Sequence, residues 1–149
     1  MHLLGAAMIS SLQLINTCAC TRLRTAARLV TRAYDDALRP SGINASQLAI
    51  MAAIDVSEAG SISELSNRLA VDRTTLSRNL KPLESAGYVR LGDEGWKRSK
   101  TVHMTAEGQR VLTEAKILWS AAQADFLDRV GAAEWQGIER GLKRIAELY

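Results

Sequence analysis

Apolar residues recur along the first quarter of the chain at helical spacing. Ile15, Leu23, Ala26, Ala27, Val30, Ala33, Tyr34 and Leu38 alternate with Arg22, Arg24, Arg28, Arg32 and Asp35, which predicts one helix over residues 12–39. Pro40, Gly42 and Asn44 interrupt it, and Asn44-Ala45-Ser46-Gln47 reads as a variant capping box opening a helix through Leu48, Met51, Ala52 and Ile54. Gly60 ends that stretch. Ser61-Ile62-Ser63-Glu64 is a fuller capping box, in which the Ser61 hydroxyl accepts from the Glu64 amide while Glu64 reaches back. A short helix to Ala70 follows, and Asp72 caps another over Arg73 to Ala86, with Leu76, Leu80 and Leu83 as its apolar stripe.

Gly87 stops this helix and the period changes from 3.6 to 2. Tyr88-Val89-Arg90-Leu91 and Lys100-Thr101-Val102-His103-Met104 alternate as two strands around a glycine-containing basic tip, Gly92 to Ser99. Beyond Thr105 a helix is marked by Val111, Leu112, Ala115, Leu118, Trp119, Ala122 and Phe126. Gly131 separates it from a last one carrying Trp135, Ile138, Leu142, Ile145 and Leu148. The predicted order is four helices, a hairpin and two helices, with no internal repeat. The fold class is mainly α (α+β), a winged helix-turn-helix with a two-stranded wing between long flanking helices. All 149 residues are expected to form one domain. Residues 44–104 would be the winged core, and residues 12–39 and 106–148 helices that pair two copies, because their apolar faces exceed what so small a core can cover.

Composition changes this picture little. Apolar residues make up 47% and charged residues 23%, which excludes a disordered or disulfide-rich chain. The apolar run Leu3 to Ile9 falls short of the roughly 20 residues that a bilayer span needs, and no Lys or Arg precedes it, so a cytoplasmic protein without membrane contact is expected. The net charge of +3 becomes informative once it is located. Residues 61–104 hold eight Lys and Arg against five Asp and Glu, an excess equal to that of the whole chain.

That basic stretch is also the one shaped for DNA. Once Leu76, Leu80 and Leu83 point inward, Arg73, Thr74, Thr75, Ser77, Arg78 and Lys81 make a donor-rich face on the second helix of the pair. A recognition helix enters the major groove by its N-terminal half, where Arg bridges guanine O6 and N7 and Thr or Ser meets bases or phosphates. Pro82 lacks an amide but lies in the second half, away from the reading end. Lys97, Arg98 and Lys100 sit on the wing, where an arginine can enter a narrow minor groove; Arg98 is the first choice. The competing interpretation, a solvated basic surface, must explain why helix pair, wing and charge coincide. A second alternative is a winged-helix dimer that binds another protein through its basic face, without specific DNA binding.

The chain resembles the multiple-antibiotic-resistance regulator (MarR) family of bacterial transcription factors over residues 12–148. The resemblance is carried by Ile62-Ser63-Glu64-Leu65-Ser66-Asn67-Arg68-Leu69, by Asp72-Arg73-Thr74-Thr75-Leu76-Ser77-Arg78-Asn79-Leu80, by Leu83-Glu84-Ser85-Ala86-Gly87-Tyr88-Val89 and by Met104-Thr105-Ala106-Glu107-Gly108. It implies a homodimer with interlocked terminal helices that binds a pseudopalindromic double-stranded DNA operator, usually as a repressor. Small aromatic or anionic ligands, or oxidants, release such proteins. The family's wing carries an acidic residue shortly before its arginine. Here Trp96-Lys97-Arg98 stands in that place, so Arg98 carries over, and Asp93 or Glu94 is left to replace the acid.

Cys18-Ala19-Cys20 falls in the first helix, where some regulators of this family sense peroxides. On a continuous helix residues two apart point to opposite sides, so a bridge within the chain needs unwinding, whereas one to a second subunit does not. Arg22 and Arg24 can favour the thiolate. Unpaired cysteines also serve as small buried hydrophobes, which is the alternative role. An anionic effector can draw on Arg24, Arg28 or Arg32, although such arginines also pair with acids such as Asp35 and Asp36. His103 is expected on the open face of the hairpin and His2 in a tail, neither at metal-ligand spacing, so no metal and no cofactor are expected. No glycine-rich phosphate loop, nucleophile elbow or His-Glu-x-x-His is present, so the chain does not read as an enzyme.

Overall fold

The computed structural model describes residues 8–57, 60–92 and 100–149. Internal contacts part the chain into two units, one ending at Ala33 and one running from Tyr34 to Tyr149. In the first, Ser10 opens α1 (Ser11–Thr17) with a capping box to Gln13, and α2 (Ala19–Leu38) begins after a break at Cys18, whose φ of −64° and ψ of 114° are extended. The single helix expected over residues 12–39 is therefore two. The apolar period runs through the break, while the Ser10–Gln13 box lies just outside it. Arg22 fastens the break by donating to the Asn16 carbonyl at 2.8 Å.

The second unit contains the last five residues of α2, a 3-10 turn (Arg39–Ser41) closed by Gly42 at φ +78°, and α3 (Ala45–Ser57). Asn44 and Gln47 exchange the expected capping bonds, and the Asp35 carboxylate accepts a further bond from the Ala45 amide at 2.8 Å. Then follow β1 (Gly60–Ser61), α4 (Ile62–Leu69), α5 (Arg73–Ser85), β2 (Val89–Leu91), β3 (Thr101–Met104), α6 (Ala106–Val130) and α7 (Ala132–Ala146). The Ser61–Glu64 box and the Asp72 cap form as the sequence predicts. Between α4 and α5 the chain turns through Ala70, which has φ +51° and ψ 42°.

The two wing strands pair antiparallel, with Val89 opposite Met104 and Leu91 opposite Val102. To this hairpin the structure adds a third strand: Gly60 pairs with Val102 and Ser61 with Thr101, giving the order β1-β3-β2. Two residues are too few to show a period in sequence. Packing brings them there, because Gly60 is buried against Leu65 and a Cβ would lie 3.2 Å from that side chain. The added strand covers the edge of β3 that a bare hairpin leaves open.

One core joins these elements. Leu38, Met51, Ile54, Leu65, Leu76, Leu80, Leu83, Val102 and Leu112 are essentially inaccessible to solvent. The stripe Leu76, Leu80 and Leu83 turns the opposite face of α5 outward, which is what its spacings of four and three require. Phe126 on α6 packs edge-on against Tyr34 and against Trp135 of α7, with centroids 6.3 and 5.2 Å apart. Among the described residues no helix is long and apolar enough to cross a membrane.

Candidate nucleic-acid interface

The outward face of α5 starts at its cap. Both Asp72 carboxylate oxygens are used, one accepting from the Thr75 amide and the other from the Thr75 hydroxyl, each at 2.7 Å. These bonds, the hydroxyl's foremost, hold the Asp72 carboxyl below its ordinary value and commit the Thr75 proton to the cap. The Arg73 guanidinium donates back to the Ser63 hydroxyl on α4. Arg73, Thr74, Ser77, Arg78 and Lys81 together line a shallow open groove of about 410 Å³. Thr74, Arg78 and Lys81 are exposed, and among the described residues Arg78 and Lys81 form no ion pair. The face thus divides into donors engaged with the protein, Arg73 and Thr75, and donors open to a polyanion.

In sequence Ser63 is only an inner position of the Ser61–Glu64 box, with nothing local to mark it as a partner of α5. It stands ten positions from Arg73, a separation that no helical period marks, and only the turn at Ala70 brings the two together. The groove also places Arg73 and Lys81, eight residues and about two turns apart on α5, on one surface. Pro82 lies in the second half of α5, exposed.

On the wing, Lys100 is exposed and its carbonyl accepts from the Ile62 amide at 3.1 Å. Lys97 and Arg98, with Asp93, Glu94 and Trp96, lie outside the described residues. Arg90 and His103 are directly paired across β2 and β3. His103 is half-buried, on the face of the hairpin opposite buried Val102 and beside exposed Arg90.

A cavity of about 340 Å³ opens elsewhere in the second unit, lined by Tyr34, Ala45, Leu48, Ala49, Ala52, Lys116 and Trp119. The Tyr34 hydroxyl donates to Gln123 Oε1, and burial pushes its pKa up. Lys116, the one cation of the lining among the described residues, is paired with Asp55 at 3.0 Å. Arg24 and Arg28 lie on α2 in the first unit, both exposed, with Arg28 donating to Thr25. Arg32 is exposed as well.

Cys18 sits at the α1–α2 break, half-buried, and Cys20 is the exposed second residue of α2. The Cys18 thiol is held below its ordinary pKa by the Thr21 hydroxyl and then the Thr21 amide, not by Arg22 or Arg24. The thiol occupies the position of a helix cap, where free amides favour a thiolate. Among the described residues no three His, Cys, Asp or Glu side chains cluster as a metal site would require.

A capped helix pair, a sheet-backed wing and a cationic, donor-rich second helix define a DNA-binding transcriptional regulator of the winged-helix class. The model of the MarR family matches residues 41–99. The transcriptional regulator MosR of M. tuberculosis in complex with DNA shares 37% identity, covering 88% of this chain and 95% of that one with a TM-score of 0.79. The chain belongs to the MarR family. The fold is also that of a mutant MarR from E. coli complexed with operator DNA (24% identity, 89% and 96% covered, TM-score 0.78). It is shared as well by BpsR of Bordetella bronchiseptica (17% identity, 89% and 96% covered, TM-score 0.79). A comparison with curated protein sequences gives no match.

Proposed function

We propose that the protein is a repressor that works at the chromosome in the cytoplasm, binding a pseudopalindromic operator as a homodimer. The observation that carries this is the outward face of α5, where Thr74, Ser77, Arg78 and Lys81 present donors around an open groove that no acid lines among the described residues. Arg78 and Thr74 read base edges; Arg73, held by Ser63, and Thr75, held by Asp72, meet the phosphates; Lys97, Arg98 and Lys100 bring the wing to the minor groove. The relative at 37% identity was crystallised with DNA.

Residues 12–39 and 106–148 supply the dimer contacts. Support comes from apolar side chains left open on each unit: Leu12 and Ile15 in the first, Ile138 and Leu142 in the second.

Release follows from a small aromatic or anionic molecule or from oxidation. The cavity between Tyr34 and Trp119 suits an apolar ring, and Lys116 suits an anionic group that displaces Asp55. Arg24 and Arg28 remain the other cationic candidates. BpsR offers a parallel, since the regulation of its DNA binding by 6-hydroxynicotinic acid is described for that protein. In the oxidative route the Cys18 and Cys20 thiols give two electrons and two protons to a peroxide, whose O–O bond breaks to leave two waters, or an alcohol and one water, while a disulfide forms. Cys18 is already outside the helix, so a bridge within the chain meets less resistance than on a continuous helix.

Fluorescence anisotropy of the purified dimer, against a duplex selected from a random pool and a scrambled control across a salt series, tests the reading. Preferential binding with a steep salt slope is expected, and Arg78→Ala should lose about 10- to 100-fold on the selected duplex. Equal weak binding of both duplexes would overturn it and favour the protein-interaction module.

A further inference from the structure

The recognition helix ends in a joint that its length and cap do not by themselves require. α5 closes with paired bonds, Gly87 N to Glu84 O and Tyr88 N to Leu83 O, each 2.9 Å, with Gly87 at φ +76°. The two carbonyls that follow then serve another helix. The Thr105 amide donates to Tyr88 O at 3.0 Å. The Thr105 hydroxyl stands 2.6 Å from Gly87 O and 3.1 Å from Tyr88 O, and accepts from the Gly108 amide at 3.0 Å. One side chain therefore caps α6 and holds the chain just past α5.

Gly108 shows how close the two elements come. A Cβ there would meet Tyr88 O at 2.0 Å and Met104 Sδ at 2.8 Å. The first contact is with backbone, so no rotamer change relieves it. The first turn of α6 lies directly on the Tyr88 carbonyl, and the helix runs on through buried Val111, Leu112 and Ala115.

We propose that the Thr105–Gly108 turn is a positioning element that fixes the recognition helix to α6 and so sets the half-site spacing the dimer accepts. The proposal rests on the dimeric operator reading above. If α6 belongs to the element that joins two copies, the separation of their recognition helices is transmitted through this turn. Half-sites in the major groove recur once per helical turn of DNA, and each base pair of error rotates the target around the axis. A stiff joint confines the dimer to one spacing. A loosened joint accepts neighbouring spacings while α5 still reads the same bases.

The test is a selection on duplexes with fixed half-sites and variable spacers, using the full chain as wild type, Thr105→Val, Gly108→Ala and Thr105→Ser. The wild type should enrich one spacing. In Thr105→Val and Gly108→Ala the enrichment of that spacing over its one-base-pair neighbours should fall by about 3-fold or more, the scale of a lost hydrogen bond, with unchanged base preference within the half-site. Thr105→Ser, which restores the hydroxyl, should return the wild-type profile. A uniform loss of affinity with an unaltered spacing profile would overturn the proposal and leave the turn as a helix cap. Failure of both disruptive variants to fold, read by circular dichroism, would overturn it as well. Absence of a preferred spacing in the wild type would remove the dimeric operator reading, and the joint's role with it.

Discussion

The winged core and the flanking helices are built from the same residue types at the same period, yet their apolar faces end differently. In the core, Leu65, Leu76 and Leu80 are wholly covered, as are Leu38 and Leu112 where α2 and α6 pack onto it. On the flanks no residue of α1 or α7 is buried: Leu12 remains 69% exposed, Ile138 45% and Leu142 44%. A stripe every three to four residues announces that a face will be buried; it does not say by what. Where the covering element belongs to the same chain, folding alone completes the contact. Where it does not, the half-open face points to a second copy.

The sharpest way to break this contrast is to spoil the covered side. Leu112→Ala should lower the unfolding free energy by about 2–5 kcal/mol, read from the shift of the urea midpoint at fixed protein concentration. Leu142→Glu should act on association instead. With nearly half of its surface open, each of the two Leu142 side chains in a dimer stands to gain on the order of 1.5 kcal/mol from the partner, so the dimer dissociation constant should rise roughly a hundredfold in sedimentation dilution series. Unaltered association would mean that α7 is not part of the dimer contact.

The smallest effect concerns acid. Asp72 is depressed in the folded state, so its contribution is fully present above the ordinary Asp value of ~3.9 and is lost as the pH falls through the folded value. Asn caps helices as well as Asp but does not titrate in this range. Wild type should therefore lose stability relative to Asp72→Asn in urea melts taken from pH 5 downward. Parallel curves would show that the cap bonds do not distinguish the carboxylate from an amide.

Local signals proved the legible ones. The Ser61–Glu64 box, the Asp72 cap, the Leu76-Leu80-Leu83 stripe and the stop at Gly87 each depend on residues within a few positions of one another, and each stands where the sequence put it. What escaped depends on distance along the chain or on contacts too short to be periodic. The Ser63–Arg73 bond needs the turn at Ala70, the Tyr34–Gln123 bond joins two helices 89 residues apart, and β1 is two residues held by Gly60's fit against Leu65. The break at Cys18 escaped for another reason: nearby apolar residues keep the helical period, and only the extended dihedrals of one residue divide the helix. Much of the α5 face could thus be read in advance, but not which of its donors the protein had already engaged.

Ala70, a non-glycine residue with positive φ, sits at the elbow between α4 and α5. Left-handed backbone costs an alanine about 1 kcal/mol, which a glycine would relieve. Yet a glycine would widen the range of shapes open to the unfolded chain, returning about 0.5–1 kcal/mol to the denatured side. The two nearly cancel, so folding is almost indifferent to the choice. Motion is not: a methyl group at the elbow narrows the backbone angles open to residue 70, and with them the arc through which α5 can swing about α4.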